Sequence, residues 1–380
     1  MKKLSTILAV AMLIMAGCIG SKQSSEDLIV VDVTKSYPDK ELILQDFMDV
    51  EYVALETNEE FVCQGFVHAV GKNVIIVTNK NHDCDIFVFD RNGKGLRKFN
   101  RKGGGPEEYS SIIGLTLDEN NGELFVNDWS KILVYDLFGN FKRSFNHSVD
   151  NQDFLMSNKI YTLDRENLFH ISFDAEGRQL TSIISKQDGS IVKNFEILYK
   201  DVKSLISNEM VGQFFISALY DYNSIIKHQN SWILTVSSSD TIYNVLPDYS
   251  MIPLILRTPS IQSMEPEIFL FPNLVTEQYY FMENIKIENG FQKTDLIYDR
   301  QDKKIYKYTL KNLDFSSNLQ VDMKPQRIDF SQDVDFWQTI EAIDLFEEYK
   351  EGKLNGRLKE IASELKEEDN PVIMLVKHKK

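Results

Sequence analysis

Three cysteines in 380 residues are too few for a disulfide scaffold, and Cys18 lies at the end of the first apolar stretch, leaving only Cys63 and Cys84 beyond it. If Cys63 and Cys84 begin alternate strands of one sheet, roughly 9 to 10 Å of strand spacing separates them, so two buried thiols are expected and not a bridge. Histidine is scarce too. His68, His82, His147, His170, His228 and His378 show no H-E-x-x-H spacing, and there is no G-x-S-x-G elbow. The contiguous His82-Asp83-Cys84-Asp85 cannot wrap one ion as spaced ligands do, so a polar turn is expected there and no metal. Positive charge is in deficit, with 42 Lys and Arg against 57 Asp and Glu and a formal charge of -15. A chain so charged repels phosphate backbones, which excludes nucleic acid as a partner. No low-complexity block or linker divides it, because its 9 prolines and 18 glycines are scattered.

The one long apolar run, Leu4 to Gly17, follows Lys2 and Lys3 and ends at Cys18. It is too short for a permanent transmembrane helix and reads as a signal peptide over 1-17 with Cys18 as a lipidation site. The alternative is an ordinary secretory signal in which Cys18 is incidental. Residues 18-28 form a tether, Ile19 in place of Asp favours the outer membrane, and Glu26-Asp27 faintly resembles a surface-export signal. The expected location is therefore that of an outer membrane lipoprotein, on the periplasmic face or the cell surface, with the lipid as its membrane contact.

The segment Ile86 to Phe99 recurs as Ile132 to Phe145, matching at Ile86/Ile132, Val88/Val134, Asp90/Asp136, Gly93/Gly139, Arg97/Arg143 and Phe99/Phe145. Alternating apolar residues run to an Asp, turn through Gly and leave on a second alternating strand, which predicts a hairpin. Between the copies there is room for two more strands, the length of one propeller blade. Strands are predicted at 66-70, 74-78, 86-89 and 96-99, then at 113-117, 123-127, 132-135 and 141-145. A third unit has two candidate hairpin turns, Glu176-Gly177 and Asp188-Gly189, and the pattern does not choose between them. Residues 202-222 read as a helix or an insertion; a fourth and a fifth unit follow, and 321-330 supplies part of a sixth. Leu354, Leu358, Ile361 and Leu365 then fall on one face of a predicted amphipathic helix, 353-368, for which Trp337 is the expected anchor. A ring must seal its last edge, so Val372 to Val376 is predicted to join N-terminal strands. The expectation is an all-β fold, a six-bladed β-propeller over 29-380.

Four phrases keep a common order: Tyr52-Val53-Ala54-Leu55-Glu56-Thr57, Gly103-Gly104-Gly105-Pro106-Glu107-Glu108-Tyr109, Ser239-Asp240-Thr241-Ile242-Tyr243 and Asp369-Asn370-Pro371-Val372. Together they resemble the six-bladed β-propeller lipoproteins of Bacteroidota, from about Ile29 to the C-terminus. That resemblance implies the propeller and no particular activity. Glu107 departs from it, standing where the family usually has Gly; if the position needs a positive φ, Glu is strained there.

The candidate ligand-binding residues are Lys102, Glu108, Tyr109, Asp128 and Trp129. Gly103 to Tyr109 follows one unit's last strand and precedes the next unit's first, so it crosses the propeller face. Its glycines lack a following Lys-Ser/Thr and feed a strand, which removes the phosphate-loop reading and leaves a polar ligand surface or a structural crossover. Asp128-Trp129 lies on the same predicted face, where an indole can stack on a sugar or pack between blades. Trp232, in mid-strand, is expected in the core. The sequence thus points to a non-catalytic module that binds glycan or an envelope protein and needs no cofactor. A propeller hydrolase or lyase, metal-assisted or not, is the alternative and has no named catalytic residue.

Overall fold

A computed structural model describes residues 28-79, 83-146, 159-211, 214-316, 321, 323-324 and 334-379. The signal, Cys18 and most of the tether lie outside the described residues, as do His82, His147 and most of the strand expected at 321-330. No helix among the described residues is long and apolar enough to cross a membrane.

The chain forms a propeller of six blades, in agreement with the sequence reading. Blade 1 comprises Phe66–Val70, Val74–Thr78, Asp85–Asp90 and Gly95–Asn100; blade 2 comprises Gly114–Asp118, Glu123–Asn127, Lys131–Asp136 and Phe141–Asn146. Both are simple meanders. The second strand of each is buried throughout, whereas the outermost alternates between inward residues, half-buried except for buried Phe145, and exposed ones, so hydrophobic runs give way to period-two alternation from axis to rim. Blade 3 comprises Lys159–Thr162, Asn167–Phe173, Gln179–Ser185 and Ile191–Phe195, and it uses both candidate turns, with Gly177 and Gly189 each at positive φ. Blade 4 spans Ile225–His228 to Met251–Thr258, and blade 5 spans Ile268–Val275 to Lys304–Lys311. The segment before blade 4 is an insertion and not a helix: Ile206–Val211 and Phe214–Leu219 pair as a separate hairpin.

The N-terminal segment binds three blades in turn. Ile29–Asp32 adds a parallel fifth strand to blade 4, and Asp39–Ile43 does the same for blade 5. Met48–Ala54 then pairs antiparallel with Val372–His378, which also pairs with Phe336–Ile340, and this sheet is blade 6. The predicted closure by the terminal strand is therefore present.

Two expectations need correction. The helix occupies only Gly356–Ala362: the chain turns through Gly352 at positive φ before it and leaves the helix again at Ser363, so neither end of the expected 353-368 is helical. Leu354, Leu358 and Ile361 are nonetheless buried and Leu365 half-buried against one cluster between blades 5 and 6. A second helix, Ala342–Lys350, precedes it. Trp337 does not anchor this layer. Alternation along its strand sends Phe336 toward the helices and Trp337 into the seam between blades 6 and 1, beside Val53, Phe61 and Phe87. Trp232 is half-buried and packs on Phe169, with ring centroids 5.8 Å apart. Cys63 and Cys84 are buried and form no disulfide, as expected, and burial pushes the Cys63 thiol up to about 11.

The repeated residues mark the seams between blades. A Cβ on Gly139 would lie 2.6 Å from the Phe99 ring of the preceding blade, and one on Gly189 would lie 2.4 Å from Phe145. Arg97 donates to Leu137 O at 3.2 Å, and Arg143 to Lys186 O at 2.8 Å, so each outer strand is tied to the next blade. Arg143 also holds Glu123 through paired hydrogen bonds of 2.8 Å, which keep that carboxyl at about 2.

Gly139→Ala should cost about 2–4 kcal/mol, because both a strained φ and a ring clash oppose the methyl group. Gly122→Ala, also at positive φ but facing open space, should cost about 1 kcal/mol. Urea denaturation of the two variants measures the difference, and equal losses would contradict the seam argument. Glu123 has a lowered folded-state pKa, so its stabilisation is present above the ordinary carboxylate range and is lost as pH falls toward about 2. Glu123→Gln should therefore lose less stability than the parent between pH 5 and pH 2.5, by on the order of 1 kcal/mol, in urea midpoints measured at both values.

Candidate functional site

The crossover from blade 1 to blade 2 folds back on itself. Lys102 and Tyr109 form a parallel bridge, Gly103 N–H donates to Tyr109 O at 3.0 Å, and Tyr109 N–H donates to Arg101 O at 3.2 Å. Gly103, Gly104 and Gly105 are not at positive φ; what Gly103 and Gly105 leave room for is the Glu108 side chain. The Glu108 carboxylate lies over them, accepting the Gly105 N–H at 2.8 Å, and a Cβ on Gly103 would stand 2.0 Å from its Oε2. Glu107 has no positive φ either, so the strain considered for it is absent, and its carbonyl accepts the Tyr135 hydroxyl at 2.7 Å.

Tyr109 is fully buried, edge-on to Tyr135 with centroids 5.9 Å apart. Its hydroxyl donates to Cys84 O and accepts the Arg101 N–H, both at 2.9 Å, and burial pushes its pKa well above the usual tyrosine range. Tyr109 therefore holds the crossover down and presents no surface to a ligand. Asp128 is buried beneath the loop: Oδ1 accepts Ser110 Oγ at 2.7 Å, Trp129 N–H at 2.8 Å and Ser111 N–H at 3.2 Å, while Oδ2 accepts Ser110 N–H at 3.1 Å. Lys131 clamps the other side, donating to Pro106 O at 3.0 Å.

Trp129 stands on this clamped base with 45% of its surface exposed, and Lys102 and Glu108 are exposed on the crossover. The crossover and the Asp128-Trp129 loop are thus brought together as expected. Of the five candidates, Trp129, Lys102 and Glu108 offer surface, whereas Tyr109 and Asp128 supply rigidity.

A second concavity escaped the sequence reading. At the opposite ends of the blades, a cleft of about 950 Å³ is walled by Lys72, Arg91, Glu277, Asp335, Lys377 and His378, among others. These residues come from blades 1, 5 and 6 and lie far apart in the chain, with no motif to link them. Glu283 was also missed. It is wholly buried in blade 5, with Lys324 Nζ at 3.2 Å and Lys293 Nζ at 3.7 Å, and Lys293 also lies 3.0 Å from Asp295. Among the described residues, no three His, Cys, Asp or Glu side chains gather in a way that could hold a metal ion.

A family model described as a domain of unknown function (DUF4934) matches residues 28–377. The chain belongs to the DUF4934 family. Among solved structures, this DUF4934 propeller is similar to a "putative exported protein" of Bacteroides fragilis, with 16% identity over 90% of this chain and 100% of that one and a TM-score of 0.57. It also aligns with virginiamycin B lyase from Staphylococcus aureus, at 10% identity over 87% of this chain and 99% of that one, with a TM-score of 0.40. A streptogramin B lyase aligns at 10% identity over 88% and 99%, with a TM-score of 0.35. The first likeness shows the fold, and the two lyases are too distant to carry any argument about chemistry. No curated protein is matched by the chain.

Asp128→Ala should destabilise the protein by about 1–3 kcal/mol, since it leaves the amides of Ser110, Ser111 and Trp129 without their acceptor. Trp129→Ala should change stability by less than about 0.5 kcal/mol if the indole is a surface element and not core. Chemical denaturation monitored by far-UV circular dichroism separates these outcomes.

Proposed function

We propose that this DUF4934 propeller is a lipid-anchored module of the bacterial envelope that binds glycan or an envelope protein and performs no chemistry of its own. The anchor rests on Lys2, Lys3, the apolar run and Cys18, and the outer membrane placement on Ile19. The similar Bacteroides fragilis protein, described as exported, fits that location.

The binding role is carried by one observation, the exposed Trp129 indole on a loop whose carboxylate Asp128 is fixed by several hydrogen bonds. An aromatic held this way loses little conformational entropy when it stacks on a ligand, and it offers an apolar face with an N–H at its edge. Lys102 and Glu108 would add polar contacts at the rim. A metal-assisted hydrolase or lyase would need convergent metal-ligating groups, and among the described residues no such cluster stands around Trp129, whereas the Asp128 carboxylate is taken up by the loop's own N–H and hydroxyl groups; this supports binding.

The test uses the purified protein on a glycan array and as bait for envelope extracts, with Trp129→Ala in parallel. Retention of at least one glycan or envelope protein, weakened roughly tenfold or more by Trp129→Ala, is expected. Retention that ignores the substitution would remove Trp129 from the site, and silence in both formats would sink the binding role. Metabolic labelling with a palmitate analogue should mark the parent and not Cys18→Ala.

A further inference from the structure

The N-terminal segment lays a parallel strand on the outer edges of blades 4 and 5 and then becomes the outermost strand of blade 6, Met48–Ala54. No strand among the described residues covers it in turn. The ladder with Val372–His378 fixes which groups are left over. Leu55 N–H donates to Pro371 O at 3.4 Å and Lys379 N–H to Phe47 O at 3.3 Å, so odd-numbered residues face the closing strand and even-numbered ones turn their N–H and C=O outward. Two of the outward donors are taken at the ends of the edge. Glu56 N–H donates to Gly93 O at 2.8 Å, and Met48 N–H donates to Leu44 O. Between these caps, the N–H and C=O of Val50 and Tyr52 have no partner among the described residues.

A groove of about 610 Å³ follows this uncovered stretch. Val50 to Ala54 form its floor, Arg91 and Asn92 of the blade 1 hairpin turn form one wall, and Ile361 and Leu365 of the helical layer form the other. Glu51, Arg91 and Asn92 also line the cleft at the opposite ends of the blades, the lower cleft, so the two adjoin. Outward donors and acceptors repeating every second residue match the main chain of an extended peptide. Walls on both sides and caps at both ends suit a short segment and not the broad sheet edge of a second copy.

We infer that this edge binds an extended segment of a partner protein, which adds a strand to blade 6 through the main chain of Val50 and Tyr52. A residue paired with Tyr52 shares its face, toward Ile361 and Leu365, and should be apolar. Its neighbours share the face of Glu51, which lies 3.6 Å from Arg91, and should be polar. The site is separate from the Trp129 rim and goes beyond that reading without resting on it.

Hydrogen exchange resolved to single residues, on the full chain, gives the first test. The amides of Val50 and Tyr52 should exchange about tenfold or more faster than those of Glu51 and Val53, which face the closing strand. Selection of a phage-displayed dodecapeptide library on the immobilised protein then supplies the probe. At least one enriched peptide, once synthesised, should alternate apolar and polar residues and slow exchange at Val50 and Tyr52. Its affinity should fall tenfold or more in Val50→Pro, which removes an outward donor, and in Asn92→Trp, which fills the groove, while Trp129→Ala leaves it unchanged. Asn92 is exposed, so an unchanged melting temperature for Asn92→Trp keeps the test decisive even where Val50→Pro melts early. Slow exchange of both amides in the free chain, no enriched peptide, or binding indifferent to Asn92→Trp would overturn the inference. Peptide binding lost only in Trp129→Ala would overturn it too, while supporting the rim reading. Protection of Val50 and Tyr52 that rises with protein concentration alone would replace the peptide with a second copy of the chain.

Discussion

The ring depends on one ladder. Val372–His378 pairs residue for residue with Met48–Ala54, from Val372↔Ala54 to His378↔Met48, and joins the two ends of the chain into a single blade. Without it, blade 6 would lose its outer strand and blades 1 and 5 would each face a gap. Closure removes the last open interior edge, and the buried side chains flanking the ladder serve both neighbours. Met374, Val376 and Val372 face the cluster with blade 5 and the helices, whereas Ile373 and Leu375 face the cluster with blade 1. Loop-closure entropy is largest for contacts this far apart in sequence, so many buried groups must act together to offset it. The parallel strands at Ile29–Asp32 and Asp39–Ile43 distribute that task over blades 4 and 5.

Asn370 completes the clasp. Its carboxamide accepts the Cys63 N–H at 2.8 Å and donates to Glu56 O and Phe61 O at 2.7 Å, while its own N–H reaches Thr57 Oγ1 at 2.8 Å. Two of the phrases behind the family resemblance, Tyr52 to Thr57 and Asp369 to Val372, are thus the two halves of one closure. A third, Gly103 to Tyr109, is a crossover tied to itself and to Tyr135. In the fourth, Asp240 pairs with buried Arg257 at 3.0 Å and accepts the Ile261 N–H at 2.7 Å. All four phrases serve the frame, which is why they identify an architecture and not a ligand.

The fold was legible because it is written in local patterns. The hairpin repeat announced the blades, although only the structure shows that its Phe99 and Phe145 meet Gly139 and Gly189 of the next blade, and a short apolar run after Pro371 announced the closing strand. The helical layer was read less well. The Leu354 to Leu365 periodicity identified the correct buried face, but only Gly356–Ala362 is helical and the flanking Leu354 and Leu365 reach that face from outside the helix, while alternation sent Trp337 the other way. Asp39–Ile43 left no clear signal, because a strand added in parallel to an outer edge is largely solvated and its sequence, Asp-Lys-Glu-Leu-Ile, is mostly polar.

The candidate sites divide along the same line. Asp128 and Trp129 are sequence neighbours, so a loop motif could flag them, although nothing in the sequence tells a carboxylate that supports a loop from one that meets a ligand. Burial decides that question for Asp128 and Tyr109. The lower cleft draws Lys72, Asp335 and Lys377 from three turns and strand ends whose meeting is fixed only by ring closure. Its existence is therefore a consequence of the ladder between Met48–Ala54 and Val372–His378. A change that opened that ladder would dissolve the cleft while the crossover loop, anchored within blades 1 and 2, kept its own hydrogen bonds.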